Sequence, residues 1–181
     1  SLSAVGGALS VVAHPATFAS VGAGYGLFSW STECEEVRAQ PYQVVFKAQD
    51  VGNAIPLVDL ETRQITVISP PVTQLVVDPV GYDMSVTWQP NECADDLTNP
   101  IQVLGGYEVH RRTADQETDW EPVLCETGIP ADAGYTLVGS VESLDEVGWV
   151  DDTGLSFGVT YCYRVVTRYG DGALSLASEE T

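Results

Sequence analysis

Hydrophobic and polar residues alternate along most of this chain in short runs, and glycine, proline, asparagine and aspartate punctuate them. Alternation with a period of two marks strands buried on one face. No segment keeps apolar residues at i, i+3, i+4 and i+7 for three turns, so no long helix is expected. In the first third, Leu27–Trp30, Tyr42–Ala48 and Gln64–Ile68 read as strands, the last beginning as early as Leu57. Tyr42, Val44, Phe46 and Ala48 share one face of their run, and Asp50 to Asn53 makes the following turn. Beyond residue 72 the strands read as Thr73–Asp78, Met84–Gln89, Gly106–Thr113, Tyr135–Val141, Val147–Val150, Thr160–Tyr169 and Ala173–Ser178. Seven short strands separated by turn residues are the pattern of a β-sandwich.

The expected fold is all-β, two consecutive immunoglobulin-like sandwich modules, the first shorter than a complete sandwich. Ser69-Pro70-Pro71 separates them, because paired prolines end a strand and stiffen a link. The expected domains are residues 1–69, a joint at 70–72, and 73–181. The 181 residues, 44% hydrophobic, suffice for packed cores. The apolar start, Ser1 to Ala19, lacks a charged n-region and is not read as a signal peptide. A first residue other than Met is expected of a processed chain or a piece of a longer one.

Charge then removes whole classes of partner. Twenty-six acids oppose seven bases, a net charge of −19, with Lys47 the single lysine. Neutralising phosphates takes clusters of Lys and Arg, so nucleic acid and anionic membrane surfaces are not expected partners. No apolar run reaches the ~20 residues that span a bilayer. The charge serves solubility, with divalent-cation uptake or a saline medium as sharper readings.

Catalysis is not expected. A Ser-His-Asp arrangement needs His14 or His110, the only two histidines. His14 reads as a surface or packing residue and His110 as a strand residue, and neither a GxSxG nor an HExxH motif occurs. The four cysteines, Cys34, Cys93, Cys125 and Cys162, lack CxxC spacing and point to disulfides and an oxidising, extracellular setting. Cys93 lies in the loop after Met84–Gln89, and Cys162 begins a strand at the opposite end of the sandwich. At ~3.3 Å per residue these two are too far apart to bridge. Cys125–Cys162 is the favoured bond and Cys93–Cys125 the alternative, leaving Cys34 free or paired outside this chain. No cofactor is expected. Weak calcium candidates are Asp50 with Asp59 and Glu61, and Asp151 with Asp152; Asp95 and Asp96 form another acidic pair, and none has EF-hand spacing.

Along Gly106–Thr113, Tyr107 and Val109 point inward, so Glu108, His110 and Arg112 point outward. Cys162, Arg164, Val166 and Arg168 share that outer face on Thr160–Tyr169. Two readings follow: a cross-strand ladder such as Glu108 opposite Arg164, or a face that docks an acidic neighbour, either the next module or another copy.

Trp88 in Ser-Val-Thr-Trp-Gln-Pro, Tyr107 in Gly-Gly-Tyr-Glu-Val, and Leu155 followed by Gly-Val-Thr-Tyr161 occur in the order of four landmarks of fibronectin type III domains. Residues 72–181 therefore resemble that family, which implies that these four side chains converge in one core, with Tyr161 as a tyrosine corner. The segment Trp120 to Gly134 is longer than the family's usual connection. Pro41–Asp50, Leu57–Ile68, Gly106–Arg112 and Gly158–Ser178 further resemble a cadherin-like module and its neighbour in bacterial surface proteins of gliding motility and type IX secretion. The resemblance implies a non-catalytic structural or adhesive module of a larger secreted protein, with neighbouring modules or copies as partners. The alternative is an accessory carbohydrate-binding module of a secreted enzyme, which needs coplanar exposed rings.

Overall fold

The computed structural model describes residues 1–22, 24–52, 55–94, 105–116 and 118–181. Asn53, Asp95 and Asp96 lie outside the described residues. The chain is all-β, with eleven strands and two short 3-10 turns among the described residues, all strand pairs being antiparallel. It divides into two compact units, Ser1–Val67 and Ile68–Thr181.

In the first unit, β1 (Leu2–Gly6), β4 (Tyr42–Gln49) and β5 (Val58–Ile65) form one sheet in the order β1-β4-β5. The hairpin of β2 (Thr17–Gly22) and β3 (Tyr25–Ser29) forms a second. Alternation on β4 works as the period requires: Tyr42 and Val44 are buried, and Phe46 meets Phe18 and Phe28 of the hairpin at ring separations of 5.8 and 5.9 Å. Leu2, Ala4 and Gly6 are the half-buried positions of β1. A Cβ on Gly6 would stand 2.1 Å from the carbonyl oxygen of Gln43, so only glycine permits this approach, at a φ of 150°.

The second unit has two three-stranded sheets. One has the order β10-β7-β6, from β6 (Thr73–Val80), β7 (Asp83–Gln89) and β10 (Gly148–Asp151). The other has the order β11-β8-β9, from β8 (Gly106–Thr113), β9 (Thr136–Val141) and β11 (Tyr161–Arg168). Inward residues of both build one core: Val86 and Trp88 from β7, Tyr107 and Val109 from β8, Val141 from β9, and Tyr163 and Val165 from β11. Trp88 and Tyr107 meet edge to face at 5.0 Å, an arrangement the ring quadrupoles favour. Tyr161 packs against this core, whereas Leu155 is only half-buried and lies outside it. Three of the four landmark side chains therefore converge, and the expectation for Leu155 is corrected. The Tyr161 hydroxyl instead accepts the backbone N–H of Ser156 at 2.8 Å, pinning the loop at its own corner.

The proline pair does not behave as a free joint. Ser69 is fully buried, its hydroxyl 2.5 Å from that of Tyr169, and the carbonyls of Ser69 and Pro70 accept N–H groups of Leu176 and Asn91. These bonds fasten the residues expected to be the link to the second unit.

Residues 173–178 run beside β11 without forming a regular strand. Backbone bonds persist at Tyr169–Ala173, Ser175–Thr167, Ser178–Val165 and Tyr163–Thr181, while the hydroxyls of Ser175 and Ser178 accept the N–H groups of Thr167 and Val165, both at 2.9 Å. Serine side chains thus occupy places that carbonyls hold in a regular ladder.

Candidate functional site

Sheet geometry places Glu108, His110 and Arg112 on one face of β8, and the pairing sets Arg112 opposite Cys162, His110 opposite Arg164 and Glu108 opposite Val166. The expected Glu108–Arg164 rung is therefore offset by one diagonal. Glu108 instead lies 3.4 Å from His110 and 3.7 Å from Arg168. Its carboxyl is held below the ordinary value, first by the hydrogen bond from His110, which outweighs burial.

This face is closed over Arg164 and partly open at Glu108 and Arg168. Arg164 is 1% exposed because Trp120, Glu121, Tyr135 and Glu180 lie against it, and Val166 on the same face is also fully buried. The Arg164 guanidinium donates to the Tyr135 hydroxyl at 2.8 Å, the Ser178 carbonyl at 2.6 Å and Glu121 at 2.8 Å. Its central carbon lies 5.4 Å from the centre of the Trp120 ring and 5.6 Å from that of the Tyr135 ring. A buried cation requires such complete pairing, since an unmatched one costs several kcal/mol in desolvation. Arg112 pairs with Glu180 and donates to the Tyr135 hydroxyl and to the Gln116 carbonyl at 2.8 Å. Arg168 pairs with Glu142 at 2.7 Å.

Of the two readings of Glu108, His110, Arg112, Arg164 and Arg168, cross-strand pairing is present in a shifted register, with Glu108 against Arg168 and against His110 of its own strand. All three arginines pair with acids of their own module, Arg112 with Glu180, Arg164 with Glu121 and Glu180, and Arg168 with Glu142. Trp120 and Glu121 of the longer segment lie against Arg164. Burial pushes the Tyr135 hydroxyl upward despite the two guanidinium groups beside it. Burial pushes Glu180 upward too, but hydrogen bonds from Cys162 and Tyr135, followed by the two arginine charges, leave its carboxyl below the usual range.

Asp151, at the end of β10, is fully buried, whereas its neighbour Asp152 is exposed. Its carboxylate accepts the Tyr163 hydroxyl at 2.7 Å, the Thr153 N–H at 3.1 Å and hydroxyl at 2.9 Å, and an Arg111 N–H at 2.5 Å. Burial raises the carboxyl, but these donors together hold it below the normal aspartate value. The same carboxylate and burial push Tyr163 far upward, burial being the larger cause. Asp151 is thus the counter-ion of Arg111. Glu61 pairs with Arg63 at 2.5 Å, and no three-ligand group containing Asp50, Asp59 and Glu61 occurs among the described residues.

The disulfide-bonded cysteines are Cys34 and Cys93. Cys125 and Cys162 are free thiols, so both expected pairings, Cys125–Cys162 and Cys93–Cys125, are corrected. Cys162 sits on the covered face, where burial, followed by the nearby Glu180, pushes its thiol upward. Cys125 is exposed on the covering segment. Cysteine spacing alone does not announce which thiols are bonded and which are free.

Of the remaining aromatic groups, Trp120 meets Tyr135 edge to face at 6.1 Å and so offers no flat platform with it. The most exposed rings are Tyr82, in the β6–β7 turn, and Phe157, in the β10–β11 loop. No helix among the described residues is long and apolar enough to cross a membrane. Neither a family model nor a curated protein matches this chain.

Proposed function

We propose that the chain is a non-catalytic structural or adhesive element of a larger secreted surface protein, a spacer and interaction unit in which the second module is a fibronectin type III domain. The observation that carries this reading is the internally paired cationic face. Three of the second unit's four arginines, the groups best suited to grip a substrate or partner, are engaged by its own Tyr135, Glu121, Glu142, Glu180 and Ser178. Such a module gains resistance to unfolding from these groups.

Two further features support the family reading. The sheets β10-β7-β6 and β11-β8-β9 have the strand neighbours of the two sheets of that family, and the Tyr161 hydroxyl closes a corner with Ser156. A disulfide together with a strong excess of acid accords with an oxidising exterior.

Exposed Cys125 provides a direct test of location. A membrane-impermeant maleimide added to intact source cells labels Cys125 if the chain is outside; labelling only after lysis contradicts the proposal. The carbohydrate-module alternative draws on Tyr82 and Phe157, exposed on loops that the β7–β10 register places at one end of the second unit. Binding to a glycan panel that is lost in F157A would favour it, and a blank panel favours the structural role.

A further inference from the structure

The first unit brings His14 to the distant pair Glu35 and Glu36, three side chains of metal-ligating type. Residues 34–36 form a 3-10 turn closed by a reciprocal capping box, in which the Glu33 N–H donates to Glu36 Oε2 at 2.8 Å. The turn is anchored beneath by the Tyr42 hydroxyl, which donates to the Glu36 carbonyl at 3.0 Å. His14 is held over it at both backbone groups: its N–H donates to Glu36 Oε1 at 3.1 Å, and its carbonyl accepts the Trp30 indole N–H at 2.7 Å. The imidazole Nδ1 then lies 3.3 Å from Glu35 Oε2 and 3.3 Å from Glu36 Oε2.

Hydrogen bonding explains this convergence poorly. A ring nitrogen carries at most one hydrogen in one direction, yet two carboxylates approach it at the same distance. Both distances exceed the ~2.7–2.9 Å of a charge-assisted bond. They fit a different geometry. A tetrahedral zinc ion with bonds of about 2.0–2.1 Å has donor-to-donor edges of about 3.3 Å. The three ligand atoms lie within 4.8 Å of one another, so the remaining edge closes by rotation of Glu35, whose side chain is 38% exposed.

We propose that His14 Nδ1 and the carboxylates of Glu35 and Glu36 form a binding site for a zinc-class divalent metal ion. Two carboxylates and a neutral imidazole carry a charge of −2, which a divalent ion cancels. The imidazole selects zinc and its neighbours over calcium and magnesium, which prefer oxygen throughout. Glu36 is fully buried and oriented by the N–H groups of His14 and Glu33, the kind of outer support that fixes a ligand carboxylate. His14 and Glu35 are exposed enough to admit the ion and a fourth ligand from solvent. The site ties the irregular stretch around His14 to the 34–36 turn, so metal binding adds to the stability of the folded first unit.

Titrating the full chain with Zn2+ by calorimetry and following its melting with and without the ion tests this. One tight equivalent is expected above the weak background of surface carboxylates, with a rise in melting temperature. H14Q and E35Q each weaken that equivalent by about 100-fold while melting like the native protein without metal, and H110Q, at the other histidine, binds normally. Excess Ca2+ does not displace the Zn2+. Absence of a stoichiometric site, full binding by H14Q, or displacement by equimolar Ca2+ would each overturn the assignment.

Discussion

Arg164, Asp151 and Trp88 show how side chains of three chemistries hold the second unit. Asp151 is the counter-ion of Arg111 and also accepts Tyr163 and Thr153, so D151A leaves a guanidinium and a phenol without their acceptor. A loss of about 3–5 kcal/mol in urea unfolding is expected. The pH dependence has a definite sign. Folding holds the Asp151 carboxyl below its unfolded value of about 3.9, so in acid the unfolded chain binds the extra proton. Its stabilisation is complete above about pH 5 and is lost as pH falls through the folded value. Unfolding free energy of the native protein should drop more steeply below pH 4 than that of D151N; parallel curves would exclude the carboxylate as the cause. Trp88 fills the core against Tyr107, but its buried indole N–H has no partner among the described residues. Trp88→Phe removes that orphan donor and should cost far less than the ~3–5 kcal/mol of Trp88→Ala.

Among the elements, the strands with strict alternation were legible from residue order. Tyr42–Gln49, Gly106–Thr113 and Tyr161–Arg168 alternate β-branched or aromatic residues with polar ones, and the structure has them within a residue or two of expectation. Leu2–Gly6 and Thr17–Gly22 were not legible, because serine, alanine and glycine give their alternation too little contrast. The expected strand Ala173–Ser178 is paired through serine hydroxyls, a substitution that propensity does not register. Its test is direct. S175A and S178A each leave a buried N–H of β11 without its acceptor and should each cost about 1–3 kcal/mol. If both melt like the native protein, the hydroxyls do not replace the ladder. Gly139 on β9 answers to another constraint: a Cβ there would meet the Trp149 ring at 2.3 Å. Gly139→Ala should therefore lower the melting temperature and perturb Trp149 fluorescence, although alanine suits a strand no worse than glycine.

For the whole molecule, periodicity carried the fold class and the outward face of β8 and β11, while topology carried what that face does. The alternation places Arg112, Arg164 and Arg168 on one face, but only the folded chain shows that Trp120, Glu121 and Tyr135 bury Arg164 and that Glu180 and Glu142 pair with Arg112 and Arg168. Which cysteines are bonded was likewise illegible from spacing. C34S and C93S should each lose about 2–4 kcal/mol, whereas C125S/C162S should retain the stability of the native protein. Arg164→Gln tests most directly whether the cationic face is structural. Urea unfolding and sedimentation of the same samples should show a loss of about 3–5 kcal/mol with the association state unchanged. Native stability accompanied by a change in self-association would contradict the account.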